Sequence, residues 1–304
     1  MKTKFGVIPA GIQILTKAQA SQVDLGPLAQ LQGTWVSEPG MGWNVIAVPG
    51  PPQQEFVLEV IPYIETLTFK PVVTASNRGP FIDGVENTQQ IVGLMYEQVI
   101  HSTCETDFCN ARGFGKGQEI HAERGFFLNI QNLNSNFDVV RLATIPHGNS
   151  VLAPGTSFNT LPPNNDFFGT ANTFPFPVTG NLPLGYGEGE YNTNQFPQFN
   201  QLNPNSFLET TLGSQKLASM TTLSFSTKNT DGGILNIPFI QQNIKTTDME
   251  AIFWIEEIEN PTAGQPNILQ LQYTQTINLV FPPTGLNIPV VWPHVTVNTM
   301  RKVS

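Results

Sequence analysis

Cysteine, histidine and charge are all scarce in this chain: two cysteines, four histidines and 12% charged residues over 304 positions. Each shortage removes a class of answer. Cys104 and Cys109 are too few for a disulfide framework and lack the partners of a zinc site. Their plain reading is a pair of loop thiols, with a small local bridge between them if the chain meets an oxidising compartment. Basic residues are outnumbered, 14 Lys+Arg against 23 Asp+Glu, for a net charge of -9. With a pI near 4.9 there is no basic footprint for a phosphate backbone, so no nucleic-acid partner is expected. No run approaches the ~18 apolar residues that cross a bilayer, and the opening stretch is broken by Pro9, Gly11 and Lys17. The expectation is a soluble, cytoplasmic chain with no membrane partner.

What is abundant is turn chemistry: 26 Gly, 25 Pro and 27 Asn. Such residues punctuate strands more readily than helices. Asp24, an early Pro27 and three leucines up to Leu31 carry the grammar of one short helix. Beyond it, segments 42–48, 55–73, 90–101, 118–130, 137–144, 220–227, 251–258, 268–281 and 290–301 are rich in Val, Ile, Phe, Tyr and Thr. Nine or ten strands with hairpin-like turns and no helix-length crossover predict an all-β, antiparallel barrel of about ten strands.

Several of these strands are apolar on both parities, as in Phe56-Val57-Leu58-Glu59-Val60-Ile61, so the outside of the sheet should be covered as well as the inside filled. The cover has a candidate. Between Pro146 and Gln215 there is no Lys or Arg, and the stretch is dense in Asn, Pro, Gly and Phe. A disordered linker is ordinarily polar and poor in aromatics, so residues 156–215 are expected to be an ordered insertion laid over one barrel domain spanning 1–304, with 1–24 as an N-terminal arm.

Three separated motifs carry a family resemblance. Leu31-Gln32-Gly33-Thr34-Trp35 is similar to the G-x-W opening strand of fatty-acid-binding-protein-like and lipocalin-like barrels. His121-Ala122-Glu123-Arg124-Gly125-Phe126-Phe127 resembles the H-x-E-x-G-aromatic-aromatic strand of the nitrobindins, and Trp292-Pro293-His294-Val295 resembles that family's terminal strand. Nitrobindins are ten-stranded barrels that hold heme b through one histidine and are associated with nitric oxide binding and peroxynitrite isomerisation. The resemblance implies heme b as cofactor, His294 as the iron ligand, and His121 and Trp292 beside the heme. An imidazole suits iron, and an apolar cavity suits a porphyrin with an open sixth position for nitric oxide, peroxide or peroxynitrite.

His147, in Ile145-Pro146-His147-Gly148, has two readings. Either it reaches the far side of the iron and, with His121, serves as a catalytic acid-base group of a peroxidase-like or peroxynitrite-isomerising site, or it is a turn histidine. His101 is expected to be exposed. Arg112 or Lys116 are candidates for pairing with heme propionates, and Glu188, Glu190, Glu256, Glu257 and Glu259 for catalytic carboxylates, although a solvated rim explains these acids as well. Gly113-Phe114-Gly115-Lys116-Gly117 lacks the Lys-Ser/Thr pair of a phosphate loop and reads as a hairpin tip. Two readings from other classes stand beside the heme protein: a barrel that binds an apolar small molecule without iron, and an oligomeric structural protein. The chain is about twice a nitrobindin's length, and a homodimer is open.

Overall fold

The computed structural model describes residues 23–49, 56–77, 81–86, 89–130, 136–145, 148–162, 167–181, 196, 198–238, 244–281 and 289–303. Its strands are β1 (Gly33–Val36), β2 (Gly42–Pro49), β3 (Phe56–Asn77), β4 (Phe81–Ile82), β5 (Val85–Glu86), β6 (Gln89–Ser102), β7 (Glu119–Ile130) and β8 (Val139–Ile145). They continue as β9 (Asn149–Phe158), β10 (Phe176–Pro177), β11 (Leu217–Ser226), β12 (Gly233–Asn236), β13 (Lys245–Ile258), β14 (Ile268–Phe281) and β15 (Val290–Lys302). Ten of them close an antiparallel barrel in the order β2-β3-β6-β7-β8-β9-β11-β13-β14-β15, with β15 returning to β2. β1 shares the slot of β2 between β3 and β15. Full closure leaves no unpaired edge among these ten.

Alternation then decides what faces inwards. On β7 the residues Glu123, Gly125 and Phe127 point into the barrel, as do Tyr63, Glu65, Leu67 and Phe69 on β3 and Leu271 and Tyr273 on β14. One end is plugged by a 3-10 helix, Gly26–Leu31, whose Leu28 and Leu31 join the inner cluster around Trp35, Phe69, Phe127 and Phe253. The helix expected over 24–31 is therefore shorter and tighter, because Gly26 enters it at φ 52°.

The outward residues Trp43, Val45, Val60, Val295 and Val297 are buried too, beneath Phe168, Ala171 and Phe199 and beneath Leu208 and Leu212 of the helix Asn205–Leu212. Trp43 stacks flat on Phe199, ring centroids 4.5 Å apart. The apolar-on-both-faces strands thus have their cover. The Lys/Arg-free stretch is not all cover, however. Its first part is β9, which pairs with β8 and β11 inside the barrel wall. Among the described residues no helix is long and apolar enough to cross a membrane.

Candidate functional site

The inner faces of β2, β7, β14 and β15 leave two adjoining hollows, or lobes, and His121 and His294 border both. One lobe, of about 240 Å³, is walled by Ile46, Ile145, Ile244, Ile277 and Leu279, with Asn149 and Thr246 as its polar edge. The other, of about 250 Å³, is walled by Ile46, Ile61, Ile100, Ile120, Ile277 and Phe114, and ends on Tyr63, Gln98, Tyr273, Gln275, Asn44 and Thr296. Ile46, His121, Ile277 and His294 are common to the two and form the waist between them. Residues 173 positions apart reach one waist because β7 and β15 stand on different arcs of a closed ring.

His294 comes from β15. Its ladder with β14 runs without a register shift from Val290 opposite Phe281 to Arg301 opposite Gln270. Trp292, His294 and Thr296 therefore keep one parity through Pro293. His294 Nε2 lies 2.5 Å from Asn44 Oδ1 on the neighbouring β2, and Thr296 Oγ1 reaches the same oxygen at 3.5 Å. Trp292 is buried at 2% exposure and meets Phe281 edge to face, 6.5 Å between centroids. It is not among the residues bordering either lobe.

His121 rests on a buried charge pair. Its Nε2 lies 3.3 Å from Glu123 Oε2, while Arg141 Nη2 donates to Glu123 Oε1 at 2.8 Å. Tyr96 donates its hydroxyl to the same Glu123 oxygen. Arg141 spends its other nitrogens on Tyr96 Oη (Nε, 3.2 Å) and Gln275 Oε1 (Nη1, 2.5 Å). Burial pushes the Glu123 carboxyl up, but the Arg141 guanidinium and the His121 and Tyr96 contacts outweigh it and hold the carboxyl down at about 2. The glycine of the H-x-E-x-G motif has a structural reason. A Cβ on Gly125 would stand 2.0 Å from Leu142 O and 2.7 Å from Tyr96 Cε1, so only glycine lets Tyr96 lie across β7 to reach Glu123.

A second polar cluster forms the end of the larger lobe. Glu65 Oε2 accepts from Tyr273 Oη at 2.6 Å and from Asn298 Nδ2 at 2.7 Å, and Glu65 Oε1 accepts from Gln98 Nε2 at 2.8 Å. Burial raises this carboxyl, and the three donors oppose the rise. Tyr63 Oη lies 3.1 Å from Tyr273 Oη and donates to Val297 O.

The remaining candidates part company with the cavity. His147, Glu188 and Glu190 lie outside the described residues. His101 is half-buried at the end of β6, where exposure was expected. Arg112 is engaged by the protein's own groups: Nε is 3.4 Å from Glu59 and the guanidinium stacks on Phe108 at 3.8 Å. Lys116 pairs with Glu105. Glu256 is fully buried on the outer face of β13, whereas Glu257 bonds Ser219 and Asn267 and Glu259 is exposed, so the three make no facing pair of carboxylates.

Cys104 and Cys109 form a disulfide, which corrects the reading of two loop thiols. The bridge clips the short helix Asp107–Ala111, capped by Thr106 Oγ1 accepting from Cys109 N, and carries Phe114 onto the wall of the larger lobe. The hairpin tip expected at 113–117 is the turn from this helix into β7. Among the described residues no group of three or more His, Cys, Asp or Glu side chains has metal-binding placement. That finding does not bear on a heme iron held by one histidine.

No protein-family model matches the chain, and no curated protein matches it. Among solved structures, the crystal structure of Rv2717c from M. tuberculosis is similar at a TM-score of 0.41 and 14% identity, over 95% of this chain and 99% of that one. So distant a likeness carries no argument about activity.

Proposed function

We propose that this barrel binds a small molecule across the waist between His121 and His294, and that heme b held through His294 is its occupant. The observation that carries the reading is the convergence of both histidines on the boundary of two adjoining, largely apolar lobes, since an imidazole among apolar side chains suits a porphyrin iron. The donor set fits: His294 is half-buried in the barrel interior, and the contact of its Nε2 with Asn44 Oδ1 is what iron would replace or leave as an orienting bond. Bound there, heme would supply an iron able to take a gas, a peroxide or peroxynitrite on its open side. His121 would face that ligand space with its ring oriented by Glu123, and Arg141 would keep Glu123 anionic. Trp292, buried against Phe281 and outside the lining of both lobes, would not line the ring. Nitric oxide chemistry, a homodimer and a role for His147 belong to the same proposal.

The Asn44 contact also favours a second reading, in which the cavity takes an apolar molecule and His294 is a polar wall residue held in place by β2. Titration with hemin separates them. The heme reading expects a stoichiometric Soret band that collapses in His294→Ala and survives in Trp292→Phe. Absence of saturable uptake by the wild type overturns it.

A further inference from the structure

The larger lobe differs from an apolar slot in how its polar end is built. Its charged neighbours are already satisfied by one another. Arg141, 2% exposed, places Nε, Nη1 and Nη2 on Tyr96, Gln275 and Glu123. Glu65, 1% exposed, takes three donors from Tyr273, Asn298 and Gln98. A carboxylate entering at this end would be a third acid beside Glu65 and Glu123, where the Arg141 guanidinium is already engaged and His121 is already set against Glu123. An ammonium would have to draw a carboxylate away from its present donors. Either leaves a charge buried without compensation, which is far costlier than burying a neutral polar group. Beyond the imidazoles of His121 and His294 at the waist, which are set against Glu123 and Asn44, what the lobe presents is neutral: the Tyr63 and Tyr273 phenols and the Gln98 and Gln275 amides, with a wall of isoleucines. Its volume of about 250 Å³ lies between the ~150 Å³ cavity that accepts benzene and the ~300 Å³ at which drug-sized pockets begin.

We infer that this lobe is a subsite for an uncharged, single-ring organic compound bearing a hydroxyl group, bound with its ring against the isoleucines and its O–H donating to the Tyr63 or Tyr273 oxygen, whose own protons are held by Val297 O and Glu65. The inference rests on the proposal that the barrel is a ligand-binding one and adds the class of molecule. Selection follows from the same arrangement: neutral alcohols and phenols enter, and carboxylates of the same shape do not.

The test uses the full chain and three probes of one shape, benzyl alcohol, toluene and benzoate, titrated at pH 7 by calorimetry or ligand-observed NMR. Benzyl alcohol should bind saturably, toluene more weakly, and benzoate at least ~10-fold more weakly than the alcohol. Tyr273→Phe should weaken benzyl alcohol about fivefold, the worth of one neutral hydrogen bond, and leave toluene unchanged. Ile100→Trp, which fills the lobe from the apolar side, should abolish binding of both, with folding checked by circular dichroism. Benzoate binding as tightly as the alcohol, alcohol binding that survives Ile100→Trp, or no saturable binding of the alcohol would each overturn the inference. Hemin uptake is read separately at the Soret band. A chain that takes hemin but no alcohol refutes the subsite and keeps the heme reading, and a chain that takes the alcohol but no hemin does the reverse.

Discussion

Replacing Glu256 by glutamine should stabilise the fold at neutral pH, and the pH course of the gain is fixed by the carboxyl's surroundings. Glu256 sits in a row with Gln270 and Arg301 across β13, β14 and β15. Gln270 Nε2 donates to its Oε2 at 2.5 Å, while its Oε1 has no hydrogen-bond partner among the described residues. Burial is the dominant influence and lifts the carboxyl from 4.5 to about 8, against the lowering effects of Gln270 and Arg301. A carboxyl raised in the fold contributes stability that is fully present below its unfolded value of 4.5 and is lost as pH rises to about 8. The loss is about 1.4 kcal/mol per pH unit. The amide introduced by Glu256→Gln cannot ionise, and it keeps an oxygen for Gln270. The stability difference between variant and wild type should therefore widen by ~3 kcal/mol from pH 5 to pH 7, by ~1 kcal/mol more at pH 8, and then stay level. Glu59, which burial also raises, to about 7, is present in both proteins and cancels in the difference. Urea unfolding followed by tryptophan fluorescence at four pH values reads this directly. A difference that does not change with pH would refute the argument, because the carboxyl would then be ionised in the fold as it is in the unfolded chain.

The charge pair under His121 behaves in the opposite sense. Glu123→Leu leaves Arg141 buried without its counter-ion and should cost about 3–5 kcal/mol, much of it recovered in Glu123→Leu/Arg141→Leu, as measured by chemical unfolding at pH 7. Because Glu123 is held at about 2, its contribution is present above 4.5 and lost as pH falls through about 2, so the single variant should lack that part of the acid transition. Gly125→Ala forces a Cβ against Leu142 O and Tyr96 and should cost about 1–3 kcal/mol as overpacking. The same variant should shift the near-ultraviolet signal of Tyr96. Cys104→Ala/Cys109→Ala opens a loop with a sequence separation of 5 and should remove ~2 kcal/mol on the loop-entropy relation. A reducing agent should then lower the wild-type melting temperature and leave the variant's unchanged.

Most of the barrel was legible because its evidence is local. The alternation of apolar residues and the clusters of Pro, Gly and Asn mark strands and turns within a few residues of each other. β9 was hidden by Pro154 and Gly155, which read as a loop in the chain and are used differently in the fold. Pro154 pairs across from Val140 and gives its carbonyl to Asn229 Nδ2, while Gly155 lacks the Cβ that would meet Ser224 O at 2.2 Å. The helix Asn205–Leu212 was hidden for want of charge, since it has neither an acidic first turn nor a basic last one. Its readable signals are Pro204 before it, Leu208 and Leu212 one turn apart, and Gly213 after it.

The site divides along the same line between local and distant information. His121, Glu123 and Gly125 stand two apart on β7 and are visible as a motif. Their partners come from strands whose order is set only when the ring closes: Tyr96 from β6, Arg141 from β8 and Gln275 from β14. In the chain Tyr96 and Gln275 are one polar residue among several on their strands, and Arg141 is the one charged residue of an otherwise largely apolar strand. Arg141 was the one detectable signal, a lone cation on the same parity as Val139, Ala143 and Ile145, all three buried. A cation on an inward parity needs a counter-ion inside, and the acid of the H-x-E-x-G motif was the inward acid closest to hand. The tyrosines and glutamines of the larger lobe give no such warning, because a neutral polar residue demands only one hydrogen bond from whatever strand lies beside it. Charge pairing in a barrel interior can thus be inferred from composition and parity, whereas the neutral groups that would select a ligand require the closed ring.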